Sequence, residues 1–281
     1  MGAGLPGSPG IDQRLAVVRK AEALVIDIDG VLYEGNRALP GAAELISEIN
    51  EHGTPHIFLS NNSTFPYQYH VEMLSRLGAQ VGRDSILTAA LVTARVLALE
   101  SEPGTCCYVI GEQGLIEALQ QAGFRVTQTD YINARYVVIG MDRQLTYEKL
   151  KGAALAIRNG SQFICSNPDP NYPDGENLLP ASGALQAALE ASTGVRARVT
   201  GKPALPGFEM ALEKLGSLPQ QTAMLGDQPE IDMIGAAQAG MLRFLVLSSL
   251  TEEHSANQEQ TRSDAVFRST AEFVDIWRRR Y

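Results

Sequence analysis

Short apolar runs alternate with amphipathic stretches along most of the chain. Ala23–Ile28 is apolar apart from Asp27 and carries β-branched residues, as expected of a strand covered on both faces. Pro40 and Gly41 open an amphipathic segment, AAELISEINEHG, that stops at Gly53 and predicts a helix. His56–Leu59 is a second strand, followed by expected helices at Tyr67–Leu77 and Ser85–Leu99. Further strands are expected at Cys106–Ile110, Tyr136–Ile139, Gln162–Cys165, Ala223–Leu225 and Phe244–Leu247. Helices are expected at Leu115–Ala122, Tyr147–Arg158, Ala184–Ser192, Phe208–Leu215 and Ile231–Ala239. Ser269 and Glu272 have capping-box spacing ahead of AEFVDIWRRR. The Gly/Pro/Ser-rich first ten residues are expected to be frayed. The alternation predicts an α/β protein with mainly parallel sheets.

Composition narrows this picture. At about 150 residues per domain, 281 residues make roughly two domains. Pro103-Gly104 and the Gly194–Val199 region mark possible hinges, and the segment between has its own strand–helix alternation. The expected organisation is residues 1–102 and 197–281 as a discontinuous core, with 103–196 inserted between. A hydrophobic share of 44% excludes a disordered chain, and a net charge of −9 removes the overall basic footprint of a nucleic-acid or anionic-membrane binder. No apolar stretch approaches the ~18 residues of a membrane span, and MGAGLPGSPGIDQRL does not read as a signal peptide. Cys106, Cys107 and Cys165 do not make a disulfide framework, and with no CxxC and scattered histidines no Cys/His zinc site is expected. Reduced core cysteines and a cytoplasmic location are expected.

Four segments could carry chemistry. Asp27-Ile28-Asp29-Gly30 ends the first buried strand, where strand geometry would put both carboxylates on one side. One could be a nucleophile or metal ligand and the other an acid/base, although an acidic turn has the same spelling. Ser60-Asn61-Asn62-Ser63-Thr64 offers donors for a phosphate oxygen, or ordinary caps for a following helix. Lys202, in Thr200-Gly201-Lys202-Pro203, could neutralise a phosphate or merely be solvated; GxxxxGK[ST] fails at Arg196 and Pro203. Asp227 and Asp232 could complete a hard-cation site or sit at a helix N-terminus. No GxGxxG follows a strand, and GxSxG is absent.

Taken in order, these segments resemble the four motifs of the haloacid dehalogenase (HAD) superfamily, and more particularly its subfamily IIA, or NagD-type, phosphatases. DIDGVLYEG, LSNNST, VIGMDRQLTYEKLKGAALAI, FICSNPDPNYP, LLPASGAL, TGKP and GDQPEIDMIGAAQAG carry the resemblance over most of the chain. It implies a Rossmann-like core with a parallel sheet, an inserted α/β C2-type cap, and Mg2+-dependent hydrolysis of a small phosphorylated metabolite. Asp27 would be nucleophile and Asp29 acid/base. Asp27, Asp227 and the Asp29 carbonyl would ligate Mg2+, with Asp232 supporting its waters. Ser60, Asn61, Asn62 and Lys202 would hold the phosphoryl group. The Asn167–Asp174 loop would choose the substrate, with Tyr172 standing where some relatives carry a substrate-contacting histidine. Gln228 and Ile231 replace the more usual Arg and Thr of the fourth motif. The resemblance also implies possible dimerisation through the cap. A phosphotransferase or mutase on the same intermediate, and a non-catalytic phospho-ligand binder, are the alternatives.

Overall fold

The computed structural model describes residues 11–82, 84–174, 177–248 and 262–281. The first ten residues, expected to be frayed, lie outside them. The chain divides into two compact units: residues 1–60, 71–86 and 208–281, and residues 61–70 and 87–207. Among the described residues no helix is long and apolar enough to cross a membrane.

The first unit is built on a parallel sheet in the order Ala265–Phe267, Leu242–Val246, Thr222–Gly226, Ala23–Ile26 and His56–Ser60. Ala23–Ile26 is central because all four of its residues are apolar and fully buried, so neither face can tolerate solvent. It pairs in parallel with Thr222–Gly226 (Ile26 opposite Leu225) and with His56–Ser60 (Ile26 opposite Phe58). Parallel pairing brings the carboxyl ends of these three strands to one edge. The C-terminal helix Thr270–Arg278 packs on the helices Ala42–His52 and Ile11–Val18, burying Phe273 and Trp277. The expected capping box forms in part. Ser269 Oγ accepts from Glu272 N at 3.2 Å, but the Glu272 carboxylate reaches one residue further back, to Arg268 N at 2.6 Å.

The second unit has a five-stranded sheet in the order Arg198–Val199, Gln162–Cys165, Tyr136–Ile139, Cys106–Ile110 and Arg125–Thr127, with all its ladders parallel. Period-two alternation divides its residues between two cores. Cys106, Tyr108, Ile110, Val137 and Ile139 join Ala153, Ile157, Leu185 and Leu189 on one face. Cys107, Val109, Tyr136 and Val138 join Ala94, Leu97, Leu115 and Leu119 on the other. The helices Tyr147–Arg158 and Ser182–Thr193 thus cover one face, and Ala89–Ala98 and Gln113–Gln121 the other. Each buried Leu or Ile contributes roughly 1.5–3 kcal/mol to holding those layers together.

Several expectations need correction. The first strand ends at Ile26, before the acidic pair. Ser85–Leu99 is not one helix: Ile86–Thr88 is a strand, and Thr88 Oγ1 accepts from Leu91 N to start Ala89–Ala98. The expected helix at Ile231–Ala239 begins as a single π-helical turn, Pro229–Met233, followed by Ile234–Gln238. The expected loop at Asn167–Asp174 ends in a strand, Asn171–Asp174, that pairs antiparallel with Asn177–Pro180 and sets Tyr172 opposite Leu179.

Candidate active site

In the first unit, the edge formed by the carboxyl ends of the parallel strands carries the acidic residues. Asp27 follows Ile26 directly and donates its N–H to Leu225 O at 2.9 Å, so the ladder register delivers it beside the end of Thr222–Gly226. Its carboxylate is buried, 3% exposed, and accepts from Ile28 N at 2.8 Å. Asp29, by contrast, is exposed. The chain turns between them: Leu32 N and Tyr33 N both donate to Ile28 O, at 2.9 and 3.0 Å. The pair lies past the end of the strand, so strand alternation does not govern it, and one residue is buried while the other is exposed. Ser60 Oγ, at the end of its strand, donates to Asp29 Oδ2 at 3.3 Å.

Asp227 and Asp232 are both fully buried. Asp232 Oδ2 accepts from Asp227 N at 3.2 Å and Gln228 N at 3.1 Å, which pins the loop after the strand. Ser248 Oγ donates to Asp227 Oδ2 at 2.6 Å. Ligand oxygens of Asp27, Asp227 and Asp232 all lie within 4.8 Å of one another. Two like charges at that separation repel by about 3.5 kcal/mol at an effective dielectric of ~20, so the trio favours a cation. Glycine makes this approach possible at two places. A Cβ on Gly30, whose φ is +82°, would lie 2.0 Å from Asp227 Oδ2, and one on Gly226 would lie 2.3 Å from Asp232 Oδ2.

In the second unit, Asn61 and Lys202 meet. Lys202 N donates to Asn61 Oδ1 at 2.9 Å, and Asn61 Nδ2 donates to Lys202 O at 3.0 Å. Lys202 is 2% exposed. Asn61 Nδ2 also donates to both oxygens of Asp169, at 3.2 Å each. Asn62 Oδ1 accepts from Thr64 N at 2.9 Å and Phe65 N at 3.1 Å, so that oxygen closes the local turn. Tyr172 is half-buried on its strand.

Thiol chemistry is disfavoured: burial pushes Cys107 and Cys165 up to about 12, leaving both protonated near neutrality. All three cysteines are free and buried.

Residues 24–125 match the haloacid dehalogenase-like hydrolase family model, and residues 199–273 match a second, HAD-hydrolase-like model. An acid sugar phosphatase of Staphylococcus aureus is 37% identical over 224 residues, which span 80% of this chain and 85% of the relative. The chain belongs to the haloacid dehalogenase-like hydrolases, in the NagD-type subfamily IIA. NagD of E. coli K-12 superposes with a TM-score of 0.79 at 32% identity, covering 90% of this chain and 98% of NagD. A glycerol phosphate phosphatase of Mycobacterium tuberculosis, solved in complex with magnesium, superposes with a TM-score of 0.83 at 26% identity, covering 91% and 77%. Within this NagD-type hydrolase, Ser248, which with Ser249 replaces a commoner Thr-Gly, and Asp169, in the Asn167–Asp174 loop, are partners to which the sequence assigned no site role. Ser248 could have been found as a hydroxyl just beyond the strand Leu242–Val246, next in the sheet to the strand that ends at Gly226. Asp169 carried no signal beyond its place in the Asn-Pro-Asp-Pro stretch.

Proposed function

We propose that this hydrolase is a Mg2+-dependent phosphatase acting on a small phosphomonoester, of the sugar phosphate, nucleotide, phosphoglycolate or pyridoxal phosphate class, through an aspartyl phosphate. The observation that carries the reading is the split acidic pair: Asp27 is buried within a carboxylate trio, and Asp29, two residues on, is exposed and hydrogen-bonded by Ser60. An Asp27 carboxylate oxygen attacks phosphorus while the bond from phosphorus to the ester oxygen breaks. Asp29 gives its proton to that leaving oxygen. Asp29 then takes a proton from the water that attacks the aspartyl phosphate, which releases inorganic phosphate and restores Asp27. Exposure suits Asp29 to this exchange, because its partners in each step are leaving group and water.

The donor set fits Mg2+. It is made of hard carboxylate oxygens, with neither sulfur nor imidazole in the trio. Asp27, Asp227 and the Asp29 carbonyl would hold the ion, with Asp232 supporting its waters, and the ion supplies positive charge to offset the phosphoryl oxygens. Ser60, Asn62 and the Asn61 backbone N–H hold phosphoryl oxygens, and Lys202 offsets their charge. Tyr172 contacts the remainder of the substrate. The phosphatase names and magnesium complex among the relatives support the reading.

Turnover of para-nitrophenyl phosphate, with and without Mg2+, tests it. Turnover should require the ion and should fall by at least about 10³-fold in Asp27→Asn, since the neutral amide is a poor nucleophile. Undiminished turnover in that variant would sink the proposal.

A further inference from the structure

We infer that Asp169 is a positioning residue that holds Lys202 in place through the Asn61 side chain. The inference rests on the phosphatase reading above for what Lys202 does; the clamp itself stands on geometry. An asparagine amide has two N–H donors and one oxygen. In Asn61 one N–H goes to Lys202 O and the other is shared between the two Asp169 oxygens, while the oxygen accepts from Lys202 N. The side chain therefore grips the main chain of Lys202 at both its donor and its acceptor.

That grip depends on which way the amide faces. Rotated by half a turn, Asn61 would set its oxygen against the Lys202 carbonyl and the Asp169 carboxylate, and its N–H groups against the Lys202 N–H. Asp169 is an acceptor on every side when ionised, so it admits only the N–H face and reinforces the orientation that the Lys202 N–H and carbonyl also favour. The same stretch secures Asn61 a second time: Asn167 Nδ2 donates to Asn61 O at 2.8 Å, and Asp169 N donates to Asn167 Oδ1 at 3.3 Å. Close approach is kept by Gly201, where a Cβ would lie 2.9 Å from Asn61 Oδ1 and 2.3 Å from Ser166 O. With its main chain fixed and its side chain buried, Lys202 has its ammonium group placed before substrate arrives. A stretch expected to select the substrate thus carries a residue that serves the phosphoryl group common to all substrates.

Asp169→Asn keeps the shape and adds a competing N–H donor; Asp169→Glu keeps the acceptor-only carboxylate and changes the shape. Turnover of para-nitrophenyl phosphate and of a hexose phosphate should fall by the same factor in Asp169→Asn, roughly tenfold or more, chiefly in kcat. Asp169→Glu should retain more activity, and Asn61→Ala combined with Asp169→Asn should lose no more than Asn61→Ala alone. Independently of activity, hydrogen exchange at the Lys202 amide should quicken severalfold in Asp169→Asn, because its acceptor is no longer held. Unchanged exchange overturns the clamp, as do losses that differ between the two esters or that add to Asn61→Ala. Faster exchange in Asp169→Asn, together with a wild-type protein that turns over neither ester, leaves the clamp standing and overturns the phosphatase reading instead.

Discussion

Replacing Gly30 by alanine tests the acidic trio through its tightest packing. The new Cβ would lie 2.0 Å from Asp227 Oδ2, 2.3 Å from Cγ and 2.7 Å from Oδ1. Ordinary contact begins at 3.4 Å, so the carboxylate or the Gly30 backbone must retreat by about 1.4 Å. A 1 Å misplacement of a catalytic group costs roughly 10²-fold, and a loss of at least that size in kcat/KM is expected. Apparent Mg2+ affinity should fall alongside, because Asp227 is a proposed ligand. The variant also places a side chain at a φ of +82°, at a cost of about 1–2 kcal/mol, or a few degrees in Tm. Gly35→Ala separates the two effects. Its φ is +58° and nothing lies within 4 Å of its Cβ, so it should show the Tm loss with near-normal activity and metal dependence. The assay is para-nitrophenyl phosphate turnover across a Mg2+ titration, with thermal unfolding of both variants. If Gly30→Ala kept activity within about twofold of Gly35→Ala, or bound Mg2+ as tightly, Asp227 would not be where the chemistry needs it.

Asp232→Asn should lower both Tm and kcat, since its carboxylate oxygen accepts two backbone N–H bonds of the Asp227 loop and charge-assisted bonds contribute about 1.5–3 kcal/mol each; unchanged thermal unfolding would refute that role. His70 is 1% exposed, and burial lowers its pKa from 6.5 to about 4. The unfolded chain therefore binds the proton first, so stability is full above pH 6.5 and is lost as pH falls toward 4. That interval corresponds to roughly 3 kcal/mol at most. Urea unfolding across pH 4–7.5 should show this slope in the wild type and a flatter one in His70→Leu.

Elements whose signal lies in their own residues were readable. Cys106–Ile110 and Tyr136–Ile139 are wholly buried and apolar, and both form the strands expected of them. Strands of two or three residues, such as Arg125–Thr127, Arg198–Val199 and Ala265–Phe267, were missed because nothing in so short a stretch separates strand from loop. Ile86–Thr88 was absorbed into the helix after it for the same reason. At the site, the residue types were readable and their exposure was not. Asp27 and Asp29 read alike in sequence, yet a turn whose N–H groups donate to the Ile28 carbonyl buries one and exposes the other.

The sequence alone determined the α/β alternation, the family, and the acidic, hydroxyl, amide and lysine residues that could carry chemistry, because periodicity and motif spelling are local properties. Only the tertiary structure decided which of those residues meet. Asp27 and Asp227 are 200 positions apart in the chain. Their carboxylates converge because Ile26 lies opposite Leu225 in a parallel ladder, which carries both strands to the same sheet edge. Likewise, the grip of Asn61 on Lys202, and of Asp169 on Asn61, depends on the directions of individual N–H and C=O groups. Hydrogen bonds of that kind exist only once distant segments are packed, so no spacing along the chain could announce them.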